Sequence, residues 1–165
     1  MTPGRRWKGW WIACAVFVVA ADQLSKRWVS LYLDPGESIP LCPGLHITHH
    51  TNTGAAFGLL GNAPVFLTAL SALLIAGLFF YTRHRLKGPD MSAAALCGLI
   101  LVFSGAVGNL ADRLRLGHVV DFIDVGFWPV FNLADSAITI GAALMALAIL
   151  KDHEPSQDLS HRPGG

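Results

Sequence analysis

Residues 131–151 read F-N-L-A-D-S-A-I-T-I-G-A-A-L-M-A-L-A-I-L-K. From Ala134 to Leu150 the run is almost wholly apolar, and Lys151 closes it. A bilayer core takes roughly 20 apolar residues at about 1.5 Å rise each, so this stretch reads as a membrane span. Its start carries Asn132 and Asp135, three residues apart and hence on one helix face. The same letters, N-L-A-D, recur at Asn109–Asp112, at the end of another apolar run. The repetition raises the question of whether Asp112 and Asp135 are the paired carboxylates of one site.

The rest of the chain agrees with a membrane setting. Its 165 residues are 53% hydrophobic and 14% charged, with a mean hydropathy of +0.49. Soluble domains carry about 25% charged residues. Basic residues are few and scattered, so the net charge of +1 gives no sign of a nucleic-acid partner and none is expected. Cys14 and Cys97 lie in apolar runs and Cys42 in a polar loop, so no disulfide framework is implied.

Four spans emerge: Trp10 to about Leu33, Pro64 to Thr82, Met91 to Leu110 and Ala134 to Leu150. The expected fold is an all-α membrane protein of four transmembrane helices in one domain, residues 1–152, with a polar, disordered tail over 153–165. Arg5, Arg6 and Lys8 precede the first span, but no clean cleavage site follows it, so it reads as a retained signal anchor. Arg83, Arg85 and Lys87 lie between spans two and three, and Lys151 and Arg162 lie at the C-terminal end. The first outer loop, Asp34 to Ala63, has no Lys or Arg, and the second outer stretch, Ala111 to Leu133, has Arg113 and Arg115. This bias predicts cytoplasmic termini and two outward-facing loops. Within the first loop, L-H-I-T-H-H-T-N (Leu45–Asn52) predicts a short strand or small sheet on the outer surface.

Polar residues of separate segments collect near the outer interface. Asp22 lies about 18 Å along span one and Asn109 about 27 Å along span three. Asn52, Asp121, Asn132 and Asp135 are expected at the same level. Ionisable groups at such depth are costly and mark function. His46, His49 and His50 share the predicted strand, but alternation sets His49 apart and no Cys or Glu cluster joins them. A solvated loop is therefore the better reading than a metal site. Ser25 and Lys26 are adjacent and point about 100° apart, which suits a Ser-Lys pair poorly. Lys26 either pairs with Asp22, four residues earlier, or snorkels to the interface. Carboxylates remain. Two Asp groups sharing a proton can act as base on water and acid toward a carbonyl, with no cofactor. The alternative is that Asn132 or Asp135 simply caps a helix. Spacing alone does not choose the pair.

Five ordered stretches carry a resemblance: D-Q-L-S-K (22–26), N-T-G-A-A-F-G (52–58), G-N-L-A-D-R-L (108–114), V-V-D-F-I-D (119–124) and F-N-L-A-D-S-A (131–137). Together they resemble the bacterial lipoprotein signal peptidase family, signal peptidase II. The resemblance implies an aspartyl endopeptidase of the bacterial inner membrane. It would cut the signal peptide from prolipoproteins just before a diacylglyceryl-modified Cys and be inhibited by the cyclic peptide globomycin. A monomer in contact with membrane lipid is the simplest assembly. The family's catalytic pair maps onto Asp121 and Asp135. Asp22, Asn52, Asn109, Asp112, Arg113 and Asn132 match positions that support the pair or bind substrate, and Lys26 and Gly54, read from their spacing and backbone freedom, join them as expected supporting residues.

The residues favour that mapping over the symmetric one. Asp112 is followed by Arg113, and a nearby cation keeps a carboxylate ionised. Asp121 and Asp135 have mostly apolar neighbours, which favour the protonated form that one member of a pair needs. The N-T-G-A-A-F-G loop is expected to fold over the site as a lid, with Gly54 allowing close backbone approach. The short stretch between Asp124 and Phe131 predicts a tight loop. Two rivals stand beside the peptidase. A proton-coupled transporter would place its carboxylates at mid-membrane rather than near one face. A non-catalytic scaffold would not explain so many Asp and Asn residues at one level.

Overall fold

The computed structural model describes residues 7–54, 63–85 and 91–152. The basic residues before Trp7, the expected lid after Gly54, Lys87 and the tail after Asp152 lie outside the described residues. Four helices and three strands follow in the order α1 (Trp7–Tyr32), β1 (Ser38–Cys42), β2 (Leu45–Asn52), α2 (Ala63–Arg85), α3 (Ala93–Leu116), β3 (Val119–Asp124) and α4 (Leu133–Asp152). Among the described residues three helices are long and apolar enough to cross a membrane: Val65–His84, Ala93–Leu116 and Leu133–Lys151. Helix α1 is 26 residues long but carries Asp22, Gln23, Lys26 and Arg27 in its second half.

Helices α3 and α4 form the most extensive contact. Small residues permit it. Gly98 of α3 and Gly141 of α4 meet backbone to backbone, so that a methyl group on either would fall 2.6 Å from the other's carbonyl oxygen. Without a hydrophobic drive between helices in lipid, such close packing is what holds spans together. The buried residues of α3 form one stripe: Gly98, Leu99, Ser104, Gly105, Gly108, Asn109 and Asp112. Glycine fills its upper part and polar side chains its end.

Helix α3 runs six residues past the expected end at Leu110, through Asp112 and Arg113 to Leu116. Hydropathy fades there, but the polar side chains find partners within the fold, so the helix has no reason to stop. It ends at Gly117, whose N–H donates to the Arg113 carbonyl at 3.1 Å.

The small sheet has the order β1-β2-β3, all antiparallel. Strand β2 coincides with the expected Leu45–Asn52. The third strand, V-V-D-F-I-D, comes from the second outer stretch, so the sheet is not confined to the first loop. Its Val120 and Phe122 pack against Val29 of α1, with Ile47 and Ile123 beside them. Because Val119, Val120, Asp121 and Phe122 are all buried, the strand lacks the alternation that marks a half-exposed one.

A bulge between Ile47 and His50 changes the reading of the histidines. His46 pairs with Asp124 and His50 with Asp121, which puts these two on opposite faces. His49 is buried rather than solvated, its Nδ1 at 2.9 Å from the Leu33 carbonyl at the end of α1. The loop after β3 is tight, as expected. Phe131 exchanges backbone hydrogen bonds with Ile123 (3.1 and 2.7 Å) and so returns the chain beside Asp121.

Candidate active site

The polar ends of α1, α3 and α4 and the edge strand β3 meet in two adjoining clusters. The first is built on α1. Asp22 and Lys26, one turn apart, form an ion pair at 2.9 Å, and both are almost fully buried. Lys26 therefore does not snorkel. Its ammonium also reaches Asp112 of α3 at 2.9 Å and donates to Asn109 Oδ1 at 2.8 Å. Three acceptors match its three donors. Burying two carboxylates is tolerable here because one ammonium and further donors face them. Gln23 supplies one such donor, to Asp112 Oδ1 at 2.9 Å, and Ala134 N–H donates to Asp22 Oδ1 at 3.0 Å. Gly108 makes the approach possible, since a methyl group there would lie 2.5 Å from Asp22 Oδ2.

The cation beside Asp112 is thus Lys26, not its neighbour in sequence. Arg113 turns the other way. Its guanidinium donates to Ser71 Oγ of α2 (3.5 Å) and to the Asn109 carbonyl (3.4 Å).

The second cluster joins Asp121 and Asp135 through asparagines. Asp121 is buried on β3. Its Oδ1 accepts from Asn132 Nδ2 at 2.6 Å and its Oδ2 from Asn52 Nδ2 at 2.9 Å. Asn132 Nδ2 also donates to Asn109 Oδ1 at 3.2 Å, and Asn109 Nδ2 donates to Asp135 Oδ1 at 2.8 Å. A chain of amides therefore runs from one carboxyl to the other. Asp135 is only half-buried, so the pair has one closed and one open member. Burial pushes the Asp121 carboxyl above the usual range, and the nearby Asp135 charge adds to this. The amide donors of Asn52 and Asn132, and the more distant Lys26, oppose it.

Capping and site-building coincide at the start of α4. Asn132 is the residue before the helix. Its Oδ1 accepts from Asp135 N–H at 2.9 Å, while Asp135 Oδ2 accepts from Asn132 N–H at 3.3 Å. This reciprocal pair is a capping box. The cap fixes the rotamers that aim Asn132 at Asp121 and Asp135 at Asn109. Capping and function are therefore not alternatives here.

All ten residues singled out from the sequence lie in or beside these clusters, although Gly54 and Arg113 touch neither carboxyl of the Asp121–Asp135 pair by a hydrogen bond. Gly54 has φ +75°, and its N–H donates to Asn52 Oδ1 at 2.9 Å, which orients the amide that meets Asp121. Gln23 was not singled out, although it bridges Asp112, Asp22 and the Gly108 carbonyl. Its place inside D-Q-L-S-K was the available signal. Among the described residues no group of His, Cys, Asp and Glu is arranged to hold a metal ion.

With this geometry the chain can be set beside known proteins. The family model described as Signal peptidase (SPase) II matches residues 14–151. The lipoprotein signal peptidase of Pelotomaculum thermopropionicum is 45% identical over 141 residues, covering 84% of this chain and 90% of the relative. That of Staphylococcus aureus is 39% identical over 153 residues, covering 89% and 91%. A solved structure described as a bacterial membrane enzyme, obtained by the in meso method at 1.9 Å resolution, superposes with a TM-score of 0.80 at 37% identity. It covers 87% of this chain and 94% of its own. Family, relatives and fold agree, and the chain belongs to the signal peptidase II family as a multi-pass membrane protease.

Proposed function

We propose that the protein is an aspartyl endopeptidase that removes the signal peptide from prolipoproteins, cutting before a Cys that carries a diacylglyceryl group. The observation that carries this reading is the amide-linked pair, Asp121 and Asp135, with one carboxyl buried and the other open. In the proposed cycle one carboxyl holds a proton and the other is ionised. The ionised group takes a proton from water as its oxygen attacks the scissile carbonyl carbon. The protonated group gives its proton to the carbonyl oxygen. When the tetrahedral diol collapses, the C–N bond breaks and the leaving nitrogen receives a proton from the pair. The flanking asparagines hold both carboxyls in place without neutralising them.

Four spans with cytoplasmic termini, in the bacterial inner membrane, would set this site near the outer leaflet surface. The substrate's acyl chains would then stay in the bilayer while its scissile bond reaches the polar layer. A globomycin-type cyclic peptide would compete for the same place. The test uses protein purified in detergent and two forms of one precursor. Cleavage of the diacylglyceryl-modified form at the lipidated Cys, with the unmodified form left intact, is the expected result. Equal cleavage of both forms, or of neither, contradicts the assignment.

A further inference from the structure

We propose that the protein holds one anionic phospholipid at the seam between α1 and α3, with an acyl chain in a groove between the helices and the phosphate between Arg27 and Arg115. The site is apart from Asp121 and Asp135 and does not depend on their reading as a catalytic pair.

The groove supplies the place for a chain. Val16, Val19 and Ala20 of α1 and Phe103 and Val107 of α3 line it, with the buried Ser104 beside them, and its volume is about 330 Å³. That is the lower end of the range for ligand clefts. Val16 and Ala20 are exposed, so the groove is open along its outer side. Helix α3 is long and apolar enough to cross a membrane over Ala93–Leu116. A groove along such a span opens to hydrocarbon, and a flexible aliphatic chain is what fits it.

The arginines supply the place for a phosphate. Helices α1 and α3 run in parallel, because Gln23 meets the Gly108 carbonyl and Lys26, further along, meets Asp112. Gln23 lines the groove, and its Oε1 accepts from the Arg115 guanidinium at 3.1 Å. Val107, Ala111 and Arg115 follow at four-residue steps on α3, as do Val19, Gln23 and Arg27 on α1. Each stripe that walls the groove therefore leads to an exposed arginine past its end. The level is that of the membrane surface. The span of α3 ends at Leu116, next to Arg115, and Trp28 and Tyr32, which follow Arg27, stack with ring centroids 5.5 Å apart. Such aromatic rings settle among headgroups. Basic pockets between spans bind lipid headgroups.

The surrounding charges favour a lipid of net negative charge. Asp22 and Asp112 share the ammonium of Lys26, which leaves one negative charge in the frame. Arg27 and Arg115 more than offset it and leave one positive charge over. Among the described residues neither arginine has a carboxylate partner. A phosphodiester with an uncharged headgroup cancels the surplus, whereas a zwitterionic lipid does not. The diacylglyceryl group of the proposed substrate has no phosphate to offer the arginines.

The test uses the full chain, delipidated in detergent. It is titrated with dioleoyl phosphatidylglycerol and, separately, with dioleoyl phosphatidylcholine, and bound lipid is counted by native mass spectrometry. One phosphatidylglycerol should bind, more tightly than phosphatidylcholine. Arg27→Gln or Arg115→Gln should weaken it about 5-fold, and the double variant about 30-fold. Ala20→Phe, at an exposed position that leaves both arginines in place, should fill the groove and weaken phosphatidylglycerol as well. If the double variant does not fold, Ala20→Phe decides alone. Equal binding of the two lipids, or unchanged phosphatidylglycerol binding in the folded double variant or in Ala20→Phe, overturns the proposal. One-for-one displacement of phosphatidylglycerol by the diacylglyceryl-modified precursor assigns the groove to the substrate and overturns it too.

Discussion

Two copies of N-L-A-D end up in different electrostatic worlds. In the first, Asp112 faces a buried lysine from another helix and shares it with Asp22. In the second, Asp135 faces an asparagine, and its partner Asp121 is met by two more. A carboxylate ion-paired with a buried ammonium ties two helices together and suits a frame. A carboxyl met only by amides has no opposite charge at hydrogen-bond distance, and in the proposed cycle this is the pair that moves protons. The asparagines differ in the same way. Asn109 bridges the two clusters, accepting from Lys26 and donating to Asp135, while Asn132 caps a helix and reaches Asp121. Identical letters therefore make unlike contacts because of what approaches from other segments.

If the first cluster is a frame, breaking it should act on stability before chemistry. Lys26→Met leaves Asp22 and Asp112 buried and uncompensated. We expect a loss of about 3–5 kcal/mol, read as a lower thermal midpoint in detergent. The double variant Lys26→Met/Asp112→Asn should lose less than Lys26→Met alone, because one stranded charge is gone. A larger loss in the double variant would mean that Asp112 stabilises the fold by some other route. A smaller effect is expected at Gly108, where the helices leave no space. Gly108→Ala would press a methyl group onto the Asp22 carboxylate at 2.5 Å and cost about 1–3 kcal/mol. An unchanged midpoint would show that α1 and α3 can part without harm.

Much of this was legible in the letters. The apolar runs mark the helices, and the i,i+4 spacing of Asp22 and Lys26 offers their ion pair as one of two alternatives, which the fold decides. What stayed hidden arose from contacts between distant segments. Asp112 reaches Lys26 across 86 positions of sequence, whereas the cations in view from the letters are its neighbours Arg113 and Arg115. The extension of α3 to Leu116 was invisible because the partners of its polar residues come from α1 and α4. Strand β3 was missed because burial on both faces removes the alternation that reveals a strand. The bulge in β2, which depends on pairing with β3, could not be read from either strand alone.

The contrast between the two clusters is tested most directly by single-turnover cleavage of a saturating diacylglyceryl-modified precursor, comparing Asp112→Asn with Asp121→Asn and Asp135→Asn in protein shown to be folded. The account predicts that the latter two bind precursor but cleave it about 100- to 10,000-fold more slowly. Asp112→Asn should instead lower the thermal midpoint or weaken binding and retain most of the rate of the chemical step. Folded Asp121→Asn or Asp135→Asn that cleaves at the wild-type rate, or folded Asp112→Asn that binds precursor and does not cleave it, would contradict the account.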